Sequence, residues 1–195
     1  MPTILLPLFA YLLGSVSSAI VVARLFKLQD PRQVGSGNPG ATNILRYGGK
    51  KAAILTLAGD VLKGVIPVVV AHALKAEPLI LALTVLAVFF GHIYPVFHGF
   101  KGGKGVATAA GTLFALNPWA GLSLLSAWFI VAVTTRYSSL SAIVASLLSP
   151  VCIWYFTREP ALIVASVLVS AMLLWRHQSN IRKLLAGTEP KIGKS

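Results

Sequence analysis

Three short stretches of this chain concentrate residues able to bind a phosphate or polarise an oxygen. In Phe100-Lys-Gly-Gly-Lys-Gly-Val-Ala-Thr108, a glycine-rich turn carrying two lysines lies between two strongly apolar stretches. Glycine frees backbone N–H groups to point at an anion, and a helix starting near Val106 adds the positive end of its dipole. Lys104, flanked by Gly103 and Gly105, is the better-placed phosphate ligand, with Gly102 completing the cradle; Lys101 addresses lipid headgroups. The turn is not a Walker A loop: only three residues separate Gly99 from Gly103, and Gly105 follows Lys104 where Ser or Thr would hold magnesium. His92 and His98 precede the turn with no carboxylate or cysteine close in sequence, so they read as hydrogen-bonding residues rather than metal ligands.

The second stretch, Gly35-Ser-Gly-Asn-Pro-Gly-Ala-Thr-Asn43, is followed by Arg46. Gly35, Gly37, Gly40 and Pro39 preclude regular helix before Ala41, while Ser36, Asn38, Thr42 and Asn43 supply hydrogen bonds. Such a loop can wrap an oxyanion or a hydroxyl. Capping of the following helix by Thr42 or Asn43 is the simpler role, but it needs one residue and not the whole run. The third stretch runs from Arg176 to Lys191. If Trp175–Leu185 is helical, His177, Asn180 and Leu184 share a face while Arg182 and Lys183 look elsewhere. One imidazole and one amide aimed at the same point suit a polarised hydroxyl or a developing oxyanion. An amphipathic basic helix on anionic lipid explains Arg182 and Lys183, but not His177 and Asn180. Glu189, one of five acidic residues, is placed to hold a nearby basic residue, and Ser139 or Ser141 of the Arg136–Ser141 segment can reach the same site.

The elements that carry these stretches belong to a membrane. Of 195 residues, 56% are hydrophobic and only 11% charged, with a mean hydropathy of +0.79; soluble domains carry about a quarter charged residues. The first span lacks a basic leader and a small-residue cleavage pattern, and is read as a retained helix. The single Cys152 excludes an internal disulfide framework. The net charge of +12 is scattered between spans, which fits anionic lipid, phosphate substrates and orientation rather than nucleic acid.

An all-α integral membrane fold of seven transmembrane helices is expected, at about residues 3–23, 52–74, 78–97, 106–116, 119–135, 140–156 and 161–175, forming one domain over 1–195. The fourth is short, rising about 16 Å against a hydrocarbon core of about 30 Å. It either forms a hairpin with the fifth, broken at Asn117-Pro118, or merges with it into one long tilted helix. Charge decides. With the hairpin, all but three of the 17 Lys and Arg residues fall on one side; Lys75 and Arg158 lie opposite, and Lys63 lies within a span. The merged helix would split them almost evenly, against the positive-inside rule. The N-terminus is therefore expected outside, and loops 24–51, 98–105, 136–139 and 176–195 in the cytoplasm, with all three stretches on that face. Asp60 and Lys63, at i and i+3 in the second span, read as a structural ion pair ahead of a proton relay.

Taken together, GSGNPGATN with Arg46, GHIYPVFHGFKGGKGVAT, and RHQSNI followed by GTEPK resemble the bacterial acyl-phosphate-dependent glycerol-3-phosphate acyltransferase family over essentially the whole chain. The resemblance implies a seven-helix inner-membrane enzyme that acylates the 1-hydroxyl of sn-glycerol 3-phosphate from acyl phosphate. Its products are lysophosphatidic acid and inorganic phosphate, in phospholipid synthesis. Arg46 and Lys104 would clamp the substrate phosphate, with Ser36, Asn38 and the loop glycines around it. His177 and Asn180 would position phosphate or hydroxyl. An activated donor requires no enzyme nucleophile, so neither a covalent acyl-enzyme nor any cofactor or metal is expected, and a monomer in the lipid bilayer is. Ala142 departs from the family pattern, which places a second loop serine there. A transporter would carry polar residues through several helix interiors, and a lipid phosphatase would need a histidine paired with acid or metal.

Overall fold

The computed structural model describes residues 2–193, and its regular elements are all helical. Lys194 and Ser195, the end of the expected cytoplasmic tail, lie outside the described residues. Two compact units make up the chain, Met1–Thr112 and Leu113–Ser195.

In the first unit the initial apolar stretch is not one rod. Helix α1 (Leu6–Gly14) and helix α2 (Ser18–Leu25) meet at a 41° bend. Gly14-Ser-Val-Ser17 gives the backbone two hydroxyls that compete with the helical ladder. Ser15 Oγ donates to the Tyr11 carbonyl at 2.8 Å, and Ser17 Oγ accepts the Ile20 N–H and so caps α2. Helix α3 (Ala41–Ala73) is longer than expected, because residues 41–48, read as loop, are already helical. Pro39-Gly40 stops coil structure and starts this helix, with Gly40 and not Thr42 or Asn43 at the N-cap, and Gly49 (φ 80, ψ 175) bends it before the apolar part begins.

Beyond Gly49 the buried stripe of α3 is Ala53, Thr56, Asp60, Lys63, Gly64, Pro67 and Ala71, while Ile54, Leu57, Leu62 and Val69 are exposed. Polar side chains inside and large apolar ones outside is the order required by a hydrocarbon solvent. Helix α4 (Pro78–Ile93) lies against α1 at near-backbone contact. A Cβ on Gly14 would collide with the Val88 carbonyl, and one on Gly91 with the Tyr11 carbonyl. Small residues allow this approach, which is how helices associate where no hydrophobic drive exists between them. A 3-10 turn, Val96–His98, follows α4, and then comes helix α5 (Val106–Leu116), within which the unit ends at Thr112.

The second unit holds helices α6 (Pro118–Thr135), α7 (Ser138–Thr157), α8 (Pro160–Arg176) and α9 (Gln178–Leu185). Asn117 caps α6 by accepting the Trp119 and Ala120 N–H groups, which explains the break read at Asn117-Pro118. The buried stripe of α7 is rich in serine: Ser139, Ala142, Ser146, Ser149 and Ile153. Ser146 Oγ donates to the Ile143 carbonyl at 2.8 Å, Ser149 Oγ to the Ser146 carbonyl at 2.8 Å, and from α8 Ser170 Oγ to the same Ser146 carbonyl at 2.7 Å. Among the described residues, four helical segments are long and apolar enough to cross a membrane, and six if the bent pairs α1–α2 and α8–α9 each count as one. The eleven-residue α5 remains short. The protein is an integral membrane protein.

Candidate functional site

Asn43 organises the first polar stretch. It is only 2% exposed, and its amide is fully engaged: Oδ1 accepts the Ser36 N–H at 2.8 Å, and Nδ2 donates to the Pro31 carbonyl at 2.9 Å and the Val34 carbonyl at 3.0 Å. Three bonds from one side chain fold residues 31–43 into a closed loop, in which Gly35 takes a left-handed φ of 62 and Asn43 Oδ1 occupies the space a Cβ there would need. Beside it, Arg32 grips Asp30 through Nε and Nη2, and that hydrogen bonding holds the Asp30 carboxyl below its ordinary value. Ser36 and Gly37 stay exposed at the rim, with Asn38 and Gly40 half-buried. No side chain caps the start of α3, where Thr42 is exposed, and Arg46 follows one turn later. The positive end of the α3 dipole thus adjoins the loop.

The second stretch lies directly against the first. Gly102 donates its N–H to the Ile93 carbonyl at 3.1 Å and Gly103 to the His92 carbonyl at 3.2 Å, so the turn is laid back along the end of α4. A Cβ on Gly103 would meet both the His92 ring and the Pro39 carbonyl, so Gly103 and Pro39 bring the two glycine-rich stretches together. Gly105 takes φ 89 against the Phe89 ring. Lys104, between these two fixed glycines, is half-buried, whereas Lys101 is exposed.

Beneath the turn lies a buried polar set. Lys63 Nζ is 2.9 Å from Asp60 Oδ1, and both side chains are 5% exposed. His92 Nδ1 lies 3.6 Å from the same oxygen and 3.1 Å from Thr108 Oγ1. Sequence reasoning found the Asp60–Lys63 pair but not its connection to His92, 29 positions after Lys63; Thr108, at the end of the glycine-lysine run, was the available signal.

In the second unit, α8 and α9 are not continuous. They bend by 57° at His177, whose backbone (φ −97, ψ 7) leaves the helix, so His177 and Asn180 do not share the face of one straight helix. His177 is 3% exposed. Its Nδ1 lies 2.8 Å from the Leu173 carbonyl, and since a carbonyl only accepts, Nδ1 carries a proton there. Asn180 Nδ2 donates to Glu189 Oε1 at 2.7 Å, and Ser139 Oγ donates to the same oxygen at 2.6 Å. Glu189 was expected beside a basic residue; its Oε1 instead gathers an amide and a hydroxyl. Ser141 is fully buried and donates to the Tyr137 carbonyl at 2.9 Å, so its hydroxyl completes its own helix turn. The tail returns past Glu189, where the Ile192 N–H donates to the Arg136 carbonyl at 2.7 Å and Arg136 Nη2 to the Ile192 carbonyl at 3.3 Å.

Comparison with known proteins covers nearly the entire chain. A family model described as Glycerol-3-phosphate acyltransferase matches residues 4–187. The glycerol-3-phosphate acyltransferase of Thioalkalivibrio sulfidiphilus is 58% identical over 188 residues, 96% of this chain and 93% of the relative. That of Methylococcus capsulatus is 52% identical over 95% of this chain and 93% of the relative. Among solved structures, PlsY (YgiH), an integral membrane glycerol 3-phosphate acyltransferase, superposes in its glycerol 3-phosphate form with a TM-score of 0.94 at 40% identity, covering 99% of this chain and 96% of that one. Its lysophosphatidic acid form gives 0.92 at 39%.

Proposed function

The chain belongs to the glycerol-3-phosphate acyltransferase family, and from that premise we propose that it moves an acyl group from an acyl phosphate to the 1-hydroxyl of sn-glycerol 3-phosphate. The observation that carries the donor-independent part is the meeting of the Asn43-organised loop with the Lys104 turn at Pro39 and Gly103. We place the substrate phosphate there, with Arg46 and Lys104 as its cationic partners. Ser36, Asn38, Thr42 and the backbone of Gly37, Gly40, Gly102, Gly103 and Gly105 orient the substrate phosphate, and Lys101 faces lipid headgroups. Asn43 shapes the loop.

In the transfer, the 1-hydroxyl oxygen bonds to the acyl carbon and the bond from that carbon to the phosphate oxygen breaks. Inorganic phosphate leaves with the electron pair, and the hydroxyl proton passes to the substrate's own phosphate. The mixed anhydride is activated already, so no acyl-enzyme forms. His177 and Asn180 position the substrate hydroxyl or phosphate, with Ser139, Ser141 and Glu189 supporting that corner. We read residues 1–195 as one acyltransferase domain. It crosses the bacterial inner membrane seven times, α5 and α6 making the short hairpin, with the N-terminus outside and the polar loops cytoplasmic, as a monomer without cofactor.

The test is phosphate release from palmitoyl phosphate by the purified protein, with and without glycerol 3-phosphate. Acyl-CoA serves as the alternative donor, and Lys104→Ala as the variant. Release that depends on glycerol 3-phosphate, forms lysophosphatidic acid and collapses in Lys104→Ala is expected. Turnover from acyl-CoA would overturn the donor, and no transfer by a folded sample would overturn the activity.

A further inference from the structure

His92 sits where three features of the first unit converge, and none of them is explained by packing alone. Its ring is buried, 7% exposed, in the last turn of α4. On the Nδ1 side it meets Thr108 Oγ1 at 3.1 Å and Asp60 Oδ1 at 3.6 Å. On the Nε2 side it meets Gly103 so closely that a Cβ there would overlap the ring. Its main-chain carbonyl accepts the Gly103 N–H at 3.2 Å. The glycine before Lys104 is therefore held by both the backbone and the side chain of one histidine. The orientation of that side chain is set in turn by a hydroxyl in the first turn of α5, with a carboxylate on α3 close behind it.

Burying a carboxylate and an ammonium in a membrane helix is expensive, and intramembrane ionisable groups persist where they serve function. Lys63 does not neutralise Asp60 only; it also donates to the Val16 carbonyl exposed by the bend between α1 and α2. The set Lys63–Asp60–His92–Gly103 thus runs without interruption from the bend in the first span to the lysine turn. Small displacements of a binding group are costly to affinity, and rigid support by neighbouring side chains prevents them.

We propose that His92 is a positioning residue for the phosphate-binding turn: held by Thr108 beside the Asp60 carboxylate, it fixes Gly103 and so aims Lys104 at the substrate phosphate. The assignment rests on Lys104 binding that phosphate, as proposed above. The observable consequence is a KM effect. Loosening the turn weakens capture of glycerol 3-phosphate while the acyl-transfer step, whose hydroxyl and acyl carbon lie beyond the turn, is spared.

The experiment measures kcat and KM for glycerol 3-phosphate in His92→Ala, His92→Gln, Thr108→Val, Gly103→Ala and the double variant His92→Ala/Gly103→Ala, with wild type and Lys104→Ala beside them. KM should rise about tenfold in His92→Ala with kcat within about threefold, and His92→Gln, which keeps a hydrogen-bonding group of similar reach, should recover most of it. Gly103→Ala should raise KM more than His92→Ala, and the double variant should be less impaired than the sum of the two, because removing the ring makes room for the new methyl. Should His92→Ala fail to fold, Thr108→Val alone still decides, since it removes only the hydroxyl at Nδ1 and should raise KM about threefold. A lower kcat at unchanged KM in folded variants, or strict additivity of the pair, overturns the positioning role. If Lys104→Ala raises KM and the His92 and Thr108 variants do not, this inference alone fails. If the wild type shows no transfer dependent on glycerol 3-phosphate, the activity fails and takes the inference with it.

Discussion

Lys63 donates to the carbonyl of Val16, 47 residues earlier, at 2.9 Å. A lysine in the middle of a membrane helix thereby satisfies a carbonyl that the bend at the end of α1 leaves outside the helical ladder. It also places positive charge at a helix C-terminus, where the dipole favours it. Asp60 at 2.9 Å supplies the compensating charge. Removing one member leaves the other as an isolated buried ion. Lys63→Met and Asp60→Asn should each destabilise by about 3–5 kcal/mol, and the double variant by clearly less. Thermal unfolding in micelles should rank wild type first, the double variant second and both single variants last. Equal losses in all three would mean that the charges do not compensate one another.

Asn43 is a donor twice and an acceptor once, and no other side chain of that size reproduces this. Asn43→Ala should loosen residues 31–40 by about 2–3 kcal/mol, because two carbonyls and one N–H are left unpaired. Asn43→Asp should be no better, since it keeps the acceptor for Ser36 but points an oxygen at the carbonyls of Pro31 and Val34. Hydrogen exchange across 31–40 and the KM for glycerol 3-phosphate should worsen together in both; an Asp variant that behaves as wild type would contradict this account.

Glu189 accepts from Ser139 and Asn180 through a single oxygen. Glu189→Gln retains a carbonyl in that place and should keep kcat within about threefold, while Glu189→Ala releases both donors and should lower kcat tenfold or more. Equal activity in the two variants would show that the clasp does not matter for turnover.

The Asp30 carboxyl, gripped by Arg32, titrates below its ordinary value of about 3.8. A carboxylate with a depressed pKa contributes stability above the unfolded value and loses it as pH falls through the lowered one. Protection of residues 30–40 against hydrogen exchange, corrected for intrinsic rate, should therefore be flat from pH 8 to about 5 and decline only below about 4. The pair is about one-third exposed, so Asp30→Asn should cost under about 1 kcal/mol at neutral pH. A decline that begins near neutral pH would point to another group.

The sequence disclosed most about what hydrocarbon demands and least about where helices bend. Composition and the long apolar runs specify a membrane protein, and glycine, lysine and asparagine density marks the loops, because both signals are local. The Asp60–Lys63 pair is legible from its i,i+3 spacing. The helical character of residues 41–48 was hidden, since they carry loop-like Thr, Asn and Gly and become helix by packing Ile44, with Ala52 and Ala53 beyond the bend, against Ala19, Val22 and Ala23. The bend at His177 was equally silent, there being no glycine or proline at the break. Nor does any spacing rule join His92 to Asp60 or Glu189 to Ser139; such links arise only when distant helices have packed.

The serines along the buried faces of α7 and α8 carry a pharmacological consequence. Ser141, Ser146, Ser149, Ser166 and Ser170 each spend their proton on a backbone carbonyl within their own unit. A hydroxyl committed in this way is not poised for deprotonation, so electrophilic warheads built to trap activated serines have no purchase on these five hydroxyls. Inhibitors of this protein should be sought among non-reactive mimics of the phosphate monoester and of the mixed anhydride, with a lipophilic tail to partition them into the bilayer.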